Sequence, residues 1–187
     1  NNVIVKANSS LASFNRAAPS WSAEQLAANG IYEVVYDNTN LKDDRFYING
    51  AESFTFANDT VTASYAAATG KALDDVNEVD EDGNALLDDD GVQMVTSGLK
   101  TNEKNQIKAQ AAGQLQSTDW YIVRHAEATT AIPADVSTFR TAIRTKSNEI
   151  ETSIDGASTV EALEALFTYT TGADDVVSRP LGEWPKL

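Results

Sequence analysis

The side chains that could take part in chemistry are most closely spaced between positions 74 and 91, where most of them are carboxylates. Five oxygen-bearing side chains lie there at alternating spacing: Asp80, Asp82, Asn84, Asp88 and Asp90. Such spacing is typical of calcium-binding loops. A loop of the EF-hand type starting at Asp80 needs Gly at its sixth position and Glu at its twelfth, but Ala85 and Gly91 stand there. We therefore predict a solvated acidic hairpin that turns at Gly83, with weak cation binding as the alternative.

The segment Tyr121–Glu127 contains the only histidine of the chain. Its Arg-His pair is similar to the signature of the histidine phosphatase and phosphoglycerate mutase family. That resemblance implies that His125 would accept a phosphoryl group and that Arg124 would neutralise phosphate charge. Enzymes of this family also rely on a second histidine, which this sequence lacks. We therefore predict that His125 lies on a helix surface, with a phosphatase-like enzyme as the alternative.

Other signatures of catalysis or cofactor binding are absent from the sequence. The chain has no cysteine, no glycine-rich phosphate loop and no Gly-x-Ser-x-Gly motif. A neighbouring pair of carboxylates carries no information in a chain with 28 acidic residues. We predict that the protein is not an enzyme and that it has no catalytic residue, no cofactor and no metal ligand.

The charge balance restricts the possible partners. The chain has 14 basic and 28 acidic residues, which gives a formal net charge of −14. Such a surface repels nucleic acid and anionic membranes. No apolar run reaches the length that crosses a bilayer. We therefore predict neither nucleic-acid binding nor membrane insertion.

Arg140 and Arg144 are four residues apart, so on a helix they face the same side and repel one another. Each guanidinium needs a negative partner. We predict that acidic side chains of a neighbouring helix, such as Asp119, supply it, and an anionic ligand is the alternative.

The elements that position these residues divide the chain into three parts. Residues 1–20 lack periodicity and predict an extended arm that docks on a partner surface. Residues 21–99 predict a β-rich domain with the acidic hairpin. This domain opens with a short helix that has a capping box at Ser22 and Gln25, and its strands lie within 31–36, 45–48, 54–56 and 61–65. No internal repeat of fixed period is evident.

Residues 100–187 predict a helical domain. Ile107, Ala111 and Leu115 recur at four-residue spacing, and Thr118-Asp119 marks another helix start. A longer helix follows Pro133, with Val136, Phe139, Ile143, Ile150 and Ile154 on one face. Ser158 and Glu161 form a second predicted capping box, and residues 179–187 predict an extended strap across the bundle. The predicted fold class is α+β: a small, mostly antiparallel β N-terminal half and a C-terminal bundle of short helices.

Several motifs of the C-terminal half recur in one order: Asp119-Trp120, Ile132-Pro133, Phe139-Arg140 with Ile143-Arg144, and Trp184-Pro185. This order resembles the C-terminal module of the tail-fibre assembly and tail assembly chaperone proteins of bacteriophages. The resemblance covers about half of the chain.

The resemblance implies scaffold or protein-contact roles for six residues: Trp120, Pro133, Phe139, Arg140, Arg144 and Trp184. We predict that Trp120 is buried against Phe139 and Ile143, because the connection between Asp119-Trp120 and the helix after Pro133 is too short to reach elsewhere. Arg140 and Arg144 would pair across helices. The implied function is that of a non-enzymatic structural protein of the phage tail, bound to other tail proteins and to copies of itself. It would reside in the virion, and in the host cytoplasm during assembly. An assembly chaperone that leaves the mature particle is the alternative.

Overall fold

The computed structural model describes residues 21–187, so the predicted arm at residues 1–20 lies outside the described part of the chain. Two compact units divide between Gly70 and Lys71. Strands dominate the first unit and helices the second, which confirms the α+β class. The acidic segment belongs to the second unit, whereas the sequence predicts it within the β-rich domain.

The first unit opens with helix α1 (Ala23–Ala28). The predicted capping box is present: the backbone N–H of Gln25 donates to the Ser22 hydroxyl at 3.3 Å, and the backbone N–H of Ser22 donates to the Gln25 side chain at 2.8 Å. Gly30 follows the end of the helix, and its φ of +72° is a conformation that glycine adopts readily.

Five strands follow in this unit: β1 (Val34–Asp37), β2 (Tyr47–Ile48), β3 (Glu52–Ala57), β4 (Thr60–Tyr65) and β5 (Thr69–Gly70). Strand β4 lies between β1, to which it is parallel, and β3, to which it is antiparallel. Strands β2 and β5 form a separate antiparallel pair. The β3–β4 turn places Asn58 and Asp59 at positive φ, the conformation of a tight hairpin. All four predicted strand segments overlap observed strands.

The core of the first unit is small. Phe46, Tyr47, Val61 and Ala63 are buried. Because β1 is an edge strand, its side chains are covered less completely, and Tyr36 is exposed.

Near the start of the second unit lies the segment that we call the β-arm, residues 76–96. Its ends are strands β6 (Val76–Asn77) and β7 (Val95–Thr96), which pair antiparallel. Between them, two further single pairs join Val79 to Ala85 and Leu87 to Gln93. The predicted acidic hairpin is therefore two consecutive hairpins closed by a common stem.

Four helices follow the β-arm: α2 (Leu99–Gln116), α3 (Asp119–Ala128), α4 (Ala134–Gly156) and α5 (Val160–Phe167). Helices α2 and α4 pack against each other, and the predicted apolar face of α4 is buried. The second predicted capping box is wrong by one residue. Thr159 is the N-cap of α5, and its hydroxyl accepts from the backbone N–H of Ala162 at 3.1 Å because Thr159 has the extended conformation that a cap requires.

The C-terminal residues cover the helices as the sequence predicts. A short hairpin that the sequence did not predict comes first, formed by β8 (Thr170–Thr171) and β9 (Val177–Ser178). In the strap, Leu181 is buried and Trp184 packs against the α2–α4 core. None of the helices in residues 21–187 is both long and apolar enough to span a membrane.

Candidate protein-interaction surfaces

Arg140 connects three helices from a buried position. Its side chain lies on α4 and only 7% of the residue is exposed. The Nη1 atom donates to the carbonyl oxygen of Leu115 at 3.0 Å and to the hydroxyl of Thr118 at 2.7 Å. It also donates to the carboxylate of Asp119 at 2.8 Å, which confirms the predicted acidic partner. The end of α2 and the start of α3 are thereby fixed to α4.

Arg144 does not pair across helices, which corrects the role expected for it. Its side chain is exposed, and its Nη1 atom donates to the backbone oxygen of Arg140 at 3.5 Å. Among the ion pairs of the described residues, none includes Arg144. Arg144 lies one turn after Arg140 on α4, beyond the junction of α2 and α3. The carboxylate of Asp119 therefore pairs with Arg140 alone.

Phe139 occupies the apolar cluster of the helical unit. It is buried with Ala111 and Ile143, and Leu115 and Trp184 pack against them. The indole N–H of Trp184 donates to the Gln110 side chain at 3.2 Å, which orients the ring over the cluster. Phe139 and Trp184 thus both pack in the core of the helical unit.

Pro133 stands at the N-cap of α4, immediately before the first helical residue, with φ of −54°. It therefore fixes the entry to the helix as expected. Asp135 follows in the first turn, where its negative charge favours the N-terminal end of the helix dipole.

Trp120 is not buried against Phe139 and Ile143, so the predicted packing is wrong. Trp120 is 51% exposed and stacks on Tyr121, with the ring centroids 3.9 Å apart. The guanidinium of Arg124 lies 4.6 Å from its ring centre. Two contacts explain the difference: the Asp119–Arg140 pair fixes the rotation of α3, and Trp184 of the strap covers the Phe139 cluster instead.

Helix α3 as a whole is poorly covered, since none of its residues is buried. Ile122 and Val123 are exposed like Trp120. Large apolar side chains exposed this close together on one helix are typical of a contact surface rather than of a core helix.

His125 lies on the exposed surface of α3, as predicted, and not at the end of a strand. Its Nδ1 atom is 2.9 Å from the backbone oxygen of Thr130. Since a carbonyl oxygen only accepts, this contact assigns the ring proton to Nδ1. Arg124 is turned towards the Trp120 and Tyr121 rings, so the two residues of the Arg-His pair do not converge on a common point.

Two acidic side chains of the β-arm, Asp80 and Asp88, accept hydrogen bonds within their own turns. The Asp80 carboxylate accepts from the backbone N–H groups of Asp82 and Asn84, at 2.9 and 2.8 Å. These hydrogen bonds, with the Asn84 side-chain amide, lower the pKa of Asp80 below its ordinary value. No cluster of three or more His, Cys, Asp or Glu side chains suited to a metal ion occurs within residues 21–187.

The β-arm contains an eight-residue repeat, which corrects the expectation that the chain has no internal repeat of fixed period. Val79–Leu86 and Leu87–Met94 share the pattern of Asp-x-Asp-Gly within an apolar frame. The second turn repeats the hydrogen bonds of the first: the carboxylate of Asp88 accepts from the N–H groups of Asp90 and Val92, at 3.0 and 2.9 Å. The repeat could have been predicted from the sequence, because Asp80-x-x-Gly and Asp88-x-x-Gly have the same spacing.

The repeat produces a closed ring of backbone hydrogen bonds. Glu78 donates to Met94, Met94 donates to Leu86, and Leu86 donates to Glu78, at 2.8, 2.8 and 3.0 Å. The side-chain amide of Gln93 lies within 3.0 Å of the carbonyl oxygens of the same three residues. Two hairpins and one stem therefore radiate from a common junction.

Large apolar side chains of the β-arm are open to solvent, each residue being between 38 and 60% exposed: Val76, Val79, Leu86, Leu87, Val92, Met94 and Val95. So many exposed apolar side chains within 21 residues exceed the scattered single residues of an ordinary surface. The β-arm is therefore a second candidate contact surface.

A shallow groove of about 710 Å³ runs along the outer face of α4. Small and hydroxyl-bearing residues line it, together with Lys146, Glu149 and Pro185. The groove lacks the enclosed apolar walls and convergent polar groups of a small-molecule site.

No protein-family model, curated protein or solved structure matches this chain.

Proposed function

We propose that this protein is a non-enzymatic structural component of a bacteriophage tail and that it acts through contacts with other tail proteins and with copies of itself. It would reside in the virion, and in the host cytoplasm during assembly. The order of the Asp119-Trp120, Pro133, Phe139-Arg140 and Trp184-Pro185 motifs supports the phage origin. The surface of the second unit supports the contact role.

The observation that carries the proposal is that apolar side chains are exposed on frameworks that are themselves well fixed. Helix α3 is held at its start by the buried Arg140, yet it exposes Trp120 and Val123. The β-arm closes a ring of backbone hydrogen bonds and exposes Leu87 and Met94. Apolar side chains exposed in this way favour binding, since a partner that covers them removes apolar surface from water.

Mass spectrometry of purified phage particles tests the proposal. The particles are produced from a genome that encodes this chain, banded by density, and compared with a band from a deletion of the gene. We expect the chain in the wild-type band at a fixed ratio to other tail proteins.

Two other outcomes lead elsewhere. If the chain is needed for infectious particles but is absent from them, it is an assembly chaperone that leaves after the fibre has folded. If it is absent and the deletion yields normal particles, the structural proposal is wrong.

A further inference from the structure

Asparagine followed by glycine occurs twice in the chain, at Asn29-Gly30 and at Asn49-Gly50. At such a step the backbone nitrogen of the glycine can attack the side-chain carbonyl carbon of the asparagine, because glycine has no side chain that hinders the approach. Both steps lie in the first unit. They consist of the same two residues, so any difference in their reactivity comes from their surroundings.

Asn49 is held in place by its side-chain amide. Its Oδ1 atom accepts from the backbone N–H of Lys42 at 2.8 Å, and its Nδ2 atom donates to the carbonyl oxygen of the same residue at 2.9 Å. The Nδ2 atom also donates to the Asp44 carboxylate. Tyr47, two residues before, is buried. Turning the amide towards the Gly50 nitrogen therefore breaks three hydrogen bonds beside the core of the unit.

The backbone at Gly50 is enclosed as well. Asn49 and Gly50 are half-buried, and a Cβ atom placed on Gly50 would lie 2.6 Å from the carbonyl oxygen of Ala66. The backbone N–H of Ala66 donates to the carbonyl oxygen of Ala51 at 3.0 Å, next to the paired strands β3 and β4. A ring that joins Asn49 to the Gly50 nitrogen therefore forms only after this end of the sheet has opened.

Asn29-Gly30 lies at the end of α1 in open surroundings. Both residues are exposed, and a Cβ atom placed on Gly30 would meet no atom within 4 Å. Helix α1 has six residues, none of them buried. A helix this short is marginal without packing, and exposed helix ends open at little cost in free energy.

In the folded helix end the two reacting groups are held apart. With ψ of 11° at Asn29, the Gly30 nitrogen is turned away from the side-chain carbonyl carbon. The Gly30 N–H donates to the carbonyl oxygen of Ala27 at 2.9 Å, and the Asn29 side-chain amide donates to that of Gln25 at 2.8 Å. The ring therefore closes only while these exposed hydrogen bonds are broken.

We propose that Asn29 is a site of spontaneous deamidation, controlled by the opening of the C-terminal end of α1, and that the fold protects Asn49. Hydroxide removes the proton of the Gly30 nitrogen, which bonds to the side-chain carbonyl carbon of Asn29. The bond from that carbon to Nδ2 breaks, and Nδ2 takes a proton from water and leaves as ammonia. Water then opens the cyclic imide: attack at the former side-chain carbonyl gives aspartate, and attack at the backbone carbonyl gives isoaspartate.

Both products weaken the end of α1. A carboxylate cannot donate, so the hydrogen bond from residue 29 to the Gln25 carbonyl is lost. The new negative charge also stands at the C-terminal end of a helix, where the helix dipole disfavours it. In isoaspartate an extra carbon atom enters the backbone before Gly30 and moves its N–H away from the Ala27 carbonyl. None of these steps needs a partner, so the modification is independent of the proposed function.

Incubation of the purified full chain at mildly alkaline pH and physiological temperature tests the proposal. Mass spectrometry of digested samples follows the replacement of the amide group by a hydroxyl at each asparagine, and fragmentation distinguishes isoaspartate from aspartate. We expect Asn29 to react roughly tenfold faster than Asn49, because its opening breaks only exposed contacts. In guanidinium chloride the two asparagines should react at similar rates, because the fold no longer separates them.

The variant Ser22→Ala tests the control by α1. It removes the hydroxyl that accepts from the Gln25 backbone N–H, so the helix should open more often. Deamidation at Asn29 should then accelerate several-fold, while Asn49 keeps its rate. Thr39→Ala is the matched control, since it removes an exposed hydroxyl that makes a local hydrogen bond outside α1. It should change neither rate.

Three results would overturn the proposal. The two asparagines could react equally fast in the native chain, Asn29 could react in guanidinium chloride but not in the native chain, or Ser22→Ala could leave the rate at Asn29 unchanged. The first would remove the protection of Asn49. The second would show that the end of α1 stays closed, and the third that its opening does not control the reaction.

Discussion

At the scale of single residues, the helical unit depends on a buried arginine that answers several polar groups at once. Arg140 donates to the buried Thr118 hydroxyl, which would otherwise lack a donor away from water, and to the Leu115 carbonyl, which also accepts from Thr118. Its carboxylate partner, Asp119, is largely exposed. The contribution of Arg140 to the stability of the fold therefore comes more from its hydrogen bonds to buried groups than from the ion pair.

Replacing this arginine tests that division. Arg140→Met should lower the free energy of unfolding by about 1–3 kcal/mol, because the buried Thr118 hydroxyl loses its donor and the Asp119 carboxylate loses its partner. Arg144→Met, one turn further along the same helix and exposed, should change it by less than about 0.5 kcal/mol. Urea unfolding followed by circular dichroism measures both. Equal losses would show that the arginines contribute only charge.

The two tryptophans on either side of this junction provide a second comparison. Trp184→Ala should cost about 2–4 kcal/mol because the ring packs on Phe139 and Ile143. Trp120→Ala should cost about 1 kcal/mol or less, since half of the residue is in water. Thermal unfolding of both variants distinguishes them, and a larger loss at Trp120 would restore the packing that the sequence predicted.

At the scale of elements, the residues just before the β-arm hold the start of α2, and Asp75 makes the contact with its N-cap. Gly98, the N-cap of α2, has no side chain with which to cap the helix. Its backbone N–H instead donates to the Asp75 carboxylate at 2.8 Å. The Lys100–Asp74 ion pair, at 3.1 Å, reinforces the same connection. Asp75 therefore anchors the base of the β-arm to the helix.

This connection has a predictable pH dependence. The hydrogen bond from Gly98, followed by one from Thr101, lowers the pKa of Asp75 in the folded protein. A lowered pKa stabilises the fold above the unfolded value of about 3.9 and loses that effect as the pH falls through the folded value. We expect exchange of the Gly98 amide proton to accelerate below about pH 4.

The matched variants are Asp75→Asn and Asp75→Ala. Asp75→Asn keeps an acceptor oxygen but cannot titrate, so exchange at Gly98 should no longer respond to Asp75 ionisation. Asp75→Ala removes the acceptor and should accelerate exchange at every pH. Both are read from amide exchange by NMR, after correction for the intrinsic rate at each pH. Unchanged exchange in Asp75→Ala would mean that Gly98 is protected by the fold and not by this carboxylate.

At the scale of the whole molecule, the sequence predicts what depends on residues close together. The capping box at Ser22 and the apolar face of α4 follow from spacings of three and four residues, and both are present. The Arg140–Asp119 pair was also predictable, because a buried arginine near a helix start needs an acid.

Features set by distant residues were not predictable in the same way. Trp120 and Trp184 are the same type of residue. Only the rotation of α3 and the path of the strap determine which of the two rings covers Phe139. In the β-arm, carboxylates obscure the apolar repeat, and its ring of hydrogen bonds joins residues eight and sixteen positions apart. No local sequence pattern indicates which of the two candidate contact surfaces, α3 or the β-arm, binds a partner.

The position of the boundary between the two units also depends on contacts between residues far apart in the sequence. A boundary near residue 100, as the sequence predicts, separates α2 from the contacts at its start. These contacts are the backbone hydrogen bonds from Leu99 to Ala72 and from Lys100 to Leu73, at 2.9 and 3.0 Å. The observed division at Gly70 and Lys71 keeps them within one unit.

Two fragments distinguish these boundaries. Residues 71–187 should fold alone with native helix content, because this fragment retains the α2–α4 core, the strap and the base of the β-arm. Residues 100–187 lack Leu99, which is buried, and the contacts that fix the start of α2. Losing a buried leucine alone costs about 2–5 kcal/mol, so this fragment should melt at least several degrees lower. Thermal unfolding followed by circular dichroism measures both, and equal melting temperatures would place the boundary where the sequence put it.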